Sequence, residues 1–159
     1  MIYGLDFGTR RLAVACSDTG WCGVKKLRDS GKNAVPIEDA GLQLAQWLSE
    51  DGPWLINDAT PVFYAERPFV GRPHGNVRTA IGQALTVGGV LAQAPGEIHL
   101  IEQAEWKKAV VGSGNASKAA IAEFLERYYP ALSAAASGDQ DVVDAFCISL
   151  HGAGLAGAC

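Results

Sequence analysis

Positions 2–7 form a short apolar run interrupted by Asp6, and beyond the polar turn Gly8-Thr9-Arg10-Arg11 the residues Leu12, Val14 and Cys16 alternate with small ones. This pattern predicts two strands joined as a hairpin. Asp18-Thr19-Gly20 is a second turn, residues 21–27 supply a third strand, and the polar stretch 28–36, with Gly31 and Pro36, reads as a loop. From residue 37 the period lengthens. Ile37, Gly41, Leu44, Ala45 and Leu48 fall at helical spacing, so an amphipathic helix over 37–51 covers one sheet face until Gly52-Pro53 stops it. Residues 61–66 are almost wholly apolar and end on Glu66, the pattern of a buried central strand.

Two prolines and two glycines over 67–75 predict a loop, after which Asn76 caps a helix running to about residue 94. Ala80, Gly82, Ala84, Gly88 and Gly89 leave that helix free to approach another helix or a second subunit closely. A fifth strand is expected over 97–102 and a helix over 118–129, with Ile121, Phe124, Leu125 and Tyr128 on one face and Pro130 as its stop. Asp139 caps a last helix whose apolar stripe is Val143, Phe146, Cys147 and Leu150. The order implies an α/β fold: a mixed five-stranded sheet, three antiparallel then two parallel strands, with helices on both faces. Residues 1–152 are read as a single domain, and the Gly/Ala-rich tail 153–159 is expected to fray.

A chain of 159 residues that is 48% hydrophobic and 19% charged is neither disordered nor a membrane span, and its first residues carry no basic region followed by an apolar stretch. A cytoplasmic location without membrane contact is the expectation. Cys16, Cys22, Cys147 and Cys159 show no C-x-x-C spacing, so neither a zinc site nor a disulfide frame is predicted. The net charge of −4 lowers the expectation of a nucleic-acid partner, but its distribution changes the picture. All 13 Lys and Arg lie at or before Arg127, and residues 1–36 hold six basic side chains against three acidic ones.

The carboxylates carry the chemistry. Asp6 lies on a strand that is otherwise apolar, where an unpaired charge is unfavourable unless it is hydrogen-bonded or bound to a cation. It could instead close the turn by accepting from the N–H groups of Gly8 and Thr9. Glu66 ends the other buried strand in the same way; if the two strands pair in parallel, both carboxylates meet at one sheet edge. Asp141 and Asp144, spaced i, i+3, share one face of the last helix, and alone would be ordinary acids near a helix N-terminus. Four carboxylates brought together suit hard cations such as Mg²⁺, and two such ions serve phosphoryl transfer. Two bound divalent ions would bring the formal charge from −4 to zero.

Gly4-Leu5-Asp6-Phe7-Gly8-Thr9 followed by Leu12-Ala13-Val14-Ala15 resembles the first strand of the RNase H-like superfamily. Glu66-Arg67-Pro68-Phe69 resembles the second acidic motif of the RuvC Holliday-junction resolvases, Thr79-Ala80 and Gly82-Gln83-Ala84 their dimer helix, Lys107 to Gly112 with Lys118 their lysine segment, and Asp141-Val142-Val143-Asp144-Ala145 their D-x-x-D-A terminus. The resemblance implies a homodimeric, Mg²⁺-dependent endonuclease that nicks two opposed strands of a four-way DNA junction, with Mn²⁺ able to substitute. It implies that Asp6, Glu66, Asp141 and Asp144 hold two metal ions, with Asp139 an alternative to Asp141. It places Lys107 and Lys118 near the scissile phosphate and Phe69 on an unpaired base at the crossover. Arg10, Arg11, Arg67, Arg72 and Lys108 are the further DNA contacts expected, and residues 76–94 the dimer helix.

Residues 4–18 are also similar to the YqgF-type branch of the superfamily, associated with RNA processing, but its D-E-R-x-T-T motif is absent and Ala65-Glu66-Arg67-Pro68 stands in its place. Actin-like ATPases and sugar kinases share the G-x-D-x-G-T opening, yet need a second lobe for which 159 residues leave no room. A non-catalytic junction-binding protein of the same fold is a further reading, disfavoured because all four acidic positions are filled.

Overall fold

In a computed structural model of the chain, which describes residues 1–56, 60–68 and 77–154, five strands form one sheet. They are β1 (Ile2–Phe7), β2 (Arg11–Ala15), β3 (Cys22–Lys26), β4 (Val62–Glu66) and β5 (Glu97–Ile101), in the spatial order β3-β2-β1-β4-β5. β1, β2 and β3 pair antiparallel, and β1-β4 and β4-β5 pair parallel, as the order of the predicted elements implied. Six helices complete the fold: α1 (Ile37–Asp51), α2 (Val77–Gln93), α3 (Gln103–Val111), α4 (Lys118–Tyr128), α5 (Pro130–Ala136) and α6 (Gln140–Gly152). A 3₁₀ turn, Pro53–Ile56, follows α1.

Period-2 alternation sorts the side chains of the sheet between two cores. Tyr3, Leu5 and Phe7 join Leu44 and Leu48 of α1 and Val87 and Val90 of α2 on one face. Ala13 and Ala15 of β2 join Trp106, Ile121, Leu125, Phe146 and Ile148 on the other. The faces are thus covered by different helices, α1 and α2 against α3 to α6.

Three features differ from the sequence pattern. α3 and α5 lie where no helix was expected. α4 stops at Tyr128, just before Pro130, as expected, but Pro130 also sits at the first position of α5, where its missing N–H is harmless and its φ is already helical. α6 is buried nearly all round, Val142, Val143 and Ala145 through Leu150 all being inaccessible, so its apolar residues form no single stripe. Asp139 caps α6 as expected, its side chain accepting from the Asp141 N–H at 3.1 Å. Cys16 and Cys147 are buried free thiols and Cys22 a half-buried one. The cap assigned to Asn76, residues 69–75 of the expected loop, and Cys159 with most of the tail lie outside the described residues. Among the described residues no helix is long and apolar enough to cross a membrane.

Candidate active site

Gly4 decides how the site assembles. A Cβ built on it would stand 1.9 Å from the Ala145 carbonyl oxygen and 2.6 Å from the Ser149 nitrogen, so α6 lies directly on the backbone of β1. The Ser149 hydroxyl donates to the Ile2 carbonyl at 3.2 Å, which fixes the helix antiparallel to the strand. Asp6 is two residues beyond Gly4 and faces the same side, toward the N-terminal turns of α6. On β4 the register Gly4↔Tyr64 and Leu5↔Ala65 brings Glu66 beside Asp6 at the next step. Tyr64, on the same face, packs on Gly152, where a Cβ would come within 2.4 Å of its ring. Residues far apart in sequence thereby converge. Asp6 senses the charges of Asp144, Asp141 and Glu66, in that order of strength.

The carboxylates differ in how their charge is compensated. Burial holds the Asp6 carboxyl well above the usual range, the three neighbouring acids push the same way, and Lys118 opposes them. No described residue donates a hydrogen bond to it; the Gly8 N–H, a candidate to close a turn on Asp6, bonds Arg11 O instead. Glu66 is also raised by burial, but Trp106 donates its indole N–H at 3.2 Å and Gln103 its amide at 2.9 Å, and Lys107 favours the charged form. Asp144 is raised by burial against the Gln140 amide at 2.8 Å, Lys118 and Lys107. Asp141 and Asp139 both face Arg11: its terminal nitrogen pairs with Asp139, and its Nε is 2.9 Å from Asp141 Oδ2.

Lys118, the first residue of α4, and Lys107, on α3, are therefore the cations that the field of the cluster feels most directly. Ser117 caps α4, accepting from the Ala120 N–H at 3.2 Å, and so holds Lys118 at the helix start. Arg67 lies exposed and pairs with Glu102 at 3.3 Å, while Arg10 donates to the Val35 carbonyl at 2.7 Å beside a groove of about 500 Å³ lined by Thr9, Thr79, Ile81 and Gly82. Lys108 sits in the last turn of α3. Phe69 and Arg72 lie outside the described residues. Two α2 side chains hold the turn after Asp6, Gln83, which the resemblance placed only in the dimer helix, and Thr86, which no motif marked: Gln83 donates to Phe7 O at 2.6 Å and the buried Thr86 hydroxyl to Thr9 O at 2.7 Å. Trp106, Gln103 and Gln140 were equally unmarked.

The donor chemistry suits a hard divalent cation: oxygen ligands only, among them Asp6, a half-buried carboxyl that accepts no hydrogen bond from a described residue. Among the described residues no group of three or more His, Cys, Asp or Glu side chains is arranged to hold a metal ion. The contacts account for this, since Glu66, Asp144 and Asp141 are each turned to a protein donor.

A sheet in this strand order, with acidic residues at adjacent ends of its central strands and on the helix crossing them, is an RNase H-like α/β fold. It is the fold of RuvC. The Thermus thermophilus RuvC structure matches with a TM-score of 0.57 at 16% identity, over 98% of this chain and 97% of that one. T. thermophilus RuvC in complex with Holliday junction substrate matches with a TM-score of 0.66 at 16% identity, over 96% of this chain and 92% of that one. No family model and no curated protein sequence matches the chain.

Proposed function

We propose that the protein is a divalent-metal-dependent endonuclease that resolves four-way DNA junctions as a homodimer, by paired nicking of opposed strands in the cytoplasm. The observation that carries this reading is Asp6, a carboxyl without a hydrogen-bond donor, drawn by α6 and β4 into the field of three more acids. Such an arrangement destabilises the fold unless a cation neutralises it, and charge held this way marks functional sites.

Asp6, Glu66, Asp144 and Asp141 are the ligands the site offers to a pair of Mg²⁺ ions, with Mn²⁺ as a substitute. When bound, such a pair supplies a clamp on the attacking and leaving oxygens of phosphodiester hydrolysis. Trp106 and Gln103 orient Glu66, and Gln140 orients Asp144. Lys118 and Lys107 stand where a cation stabilises the charge that develops on the phosphate. Arg10, Arg67, Lys108 and Arg72 are the proposed backbone contacts and Phe69 the proposed stacking residue. The homodimer reading is supported by α2, which exposes Val77, Ile81 and Leu85 at i, i+4 spacing on its outer side.

The test compares synthetic four-way junction, flap, duplex and RNA with Mg²⁺ and with EDTA. Paired symmetric nicks in the junction alone, abolished by EDTA, are expected. Binding without incision in both Mg²⁺ and Mn²⁺, or a preference for RNA, would overturn the proposal.

A further inference from the structure

We infer that Arg11 is a resident counter-cation of the site, which holds Asp141 in the absence of metal and competes with a divalent ion for it. The inference rests on the metal-site reading above and concerns which acid of α6 is available. Arg11 opens β2 one position before Leu12, the partner of Phe7, so it stands at the sheet end where Asp6 emerges. Its grip on the two acids is unequal. The terminal nitrogen makes a hydrogen-bonded ion pair with Asp139 Oδ2, and Asp139 Oδ1 accepts the Asp141 N–H as the helix cap. Both oxygens of Asp139 are thus engaged in fixing the N-terminus of α6, and Asp139 is a structural residue. Toward Asp141 the guanidinium offers only proximity: Nε lies 2.9 Å from Oδ2 but is buried without an aligned acceptor. Asp141 is held by charge and not by a directed bond, and can be released.

A guanidinium cannot shed its proton to make way for another cation. A divalent ion that takes Asp141 therefore meets a fixed like charge, and Arg11 must turn wholly to Asp139 as the ion enters. The site then has two arrangements of one acid: on Arg11 when metal-free and on metal when loaded. Arg11 is a positioning residue in this scheme, one that sets the occupancy of the Asp141 side of the site.

Mn²⁺ binding measured by electron paramagnetic resonance at fixed ionic strength tests this directly. Arg11→Gln is expected to bind Mn²⁺ about tenfold more tightly, because the fixed like charge facing the ion is removed. Arg11→Lys, which keeps the charge, should bind like the parent. Unchanged or weaker binding by a folded Arg11→Gln would overturn the inference. In the unsubstituted protein the ¹⁵Nε–H resonance of Arg11 should move on Mg²⁺ titration, and a resonance that stays in place at saturation would overturn it equally, whatever the variant's folding. Asp6→Asn separates the two readings. If it abolishes Mn²⁺ binding while Arg11→Gln fails to tighten it, only the role of Arg11 falls; if it binds Mn²⁺ as the parent does, the metal site itself is misplaced and Arg11 falls with it.

Discussion

Compensation distinguishes the four acids more sharply than position does. Glu66 has two donors, Asp144 one and Asp141 an arginine, while Asp6 has none among the described residues. Its raised pKa, caused first by burial and then by Asp144, Asp141 and Glu66, means that the folded chain holds the Asp6 proton to higher pH than the unfolded chain does. The unfolded state then binds fewer protons, so stability falls as pH rises from the usual carboxylate range through the raised folded-state value. Asp6→Asn removes that loss. In EDTA at neutral pH it should be about 0.5–2 kcal/mol more stable than the parent, the two converging in acid, while incision is lost. Thermal melts across pH check the sign; a destabilised Asp6→Asn at neutral pH would show that the acids do not repel. Trp106→Phe is the complement: deleting the donor to Glu66 should cost about 1–3 kcal/mol and shift the acid limb of the cleavage profile to higher pH, because Glu66 then ionises later. Asp6 and Glu66 were legible as carboxylates placed in apolar runs. Trp106, Gln103 and Gln140 were not, because nothing local marks an indole as the partner of an acid 40 positions away.

At the level of elements, the site depends on how near α6 lies to β1. Small residues achieve this: Gly4 beneath Ala145 and Ser149, and Gly152 beneath Tyr64. Gly4→Ala would drive a methyl group into the Ala145 carbonyl, which cannot give way without moving the helix. We expect a loss of about 1–3 kcal/mol from overpacking and a larger fall in metal affinity, since Asp141 and Asp144 retreat from Asp6. Urea unfolding and Mn²⁺ binding measure the two; an unchanged affinity would mean that α6 does not carry the ligands. The strands and α1 were readable because their periods are long enough and sharply bounded. α3 escaped notice because only Trp106 and Val110 mark its buried face over nine residues, and α5 because its seven alanine-rich residues begin on a proline that also suits a stop. The spacing in α6 predicts an amphipathic helix with one apolar stripe, whereas the helix is buried nearly all round, so its acids looked like ordinary first-turn residues on a solvated face.

Across the whole molecule, α2 links the site to the outer surface. Its inner side packs on α1 through Gly41 and Gly89, where a Cβ on either would fall 2.8 Å from the opposing backbone, and it anchors the Asp6 turn through Gln83 and Thr86. The small residues that could have served a helix partner within the chain or a second subunit are therefore divided: Gly82 and Gly89 face inward, while Gly88 has nothing within 4 Å of its missing Cβ. On the same outer side Val77, Ile81 and Leu85 are 67%, 53% and 45% exposed, more apolar surface than an isolated helix face normally shows to water. A two-fold interface uses each such residue twice, so one substitution there acts on both copies. Ile81→Glu should convert the protein from dimer to monomer at micromolar concentration in sedimentation, because two carboxylates would be placed in an apolar contact. Its Asp6, Glu66 and Asp144 are untouched, so Mn²⁺ should still bind, and single nicks should persist while simultaneous incision of opposed strands is lost. A parent that sediments as a monomer, or an Ile81→Glu variant that remains dimeric, would place the contact elsewhere. Loss of Mn²⁺ binding together with the dimer would instead show that Gln83 and Thr86 transmit the state of the outer face to the turn that holds Asp6.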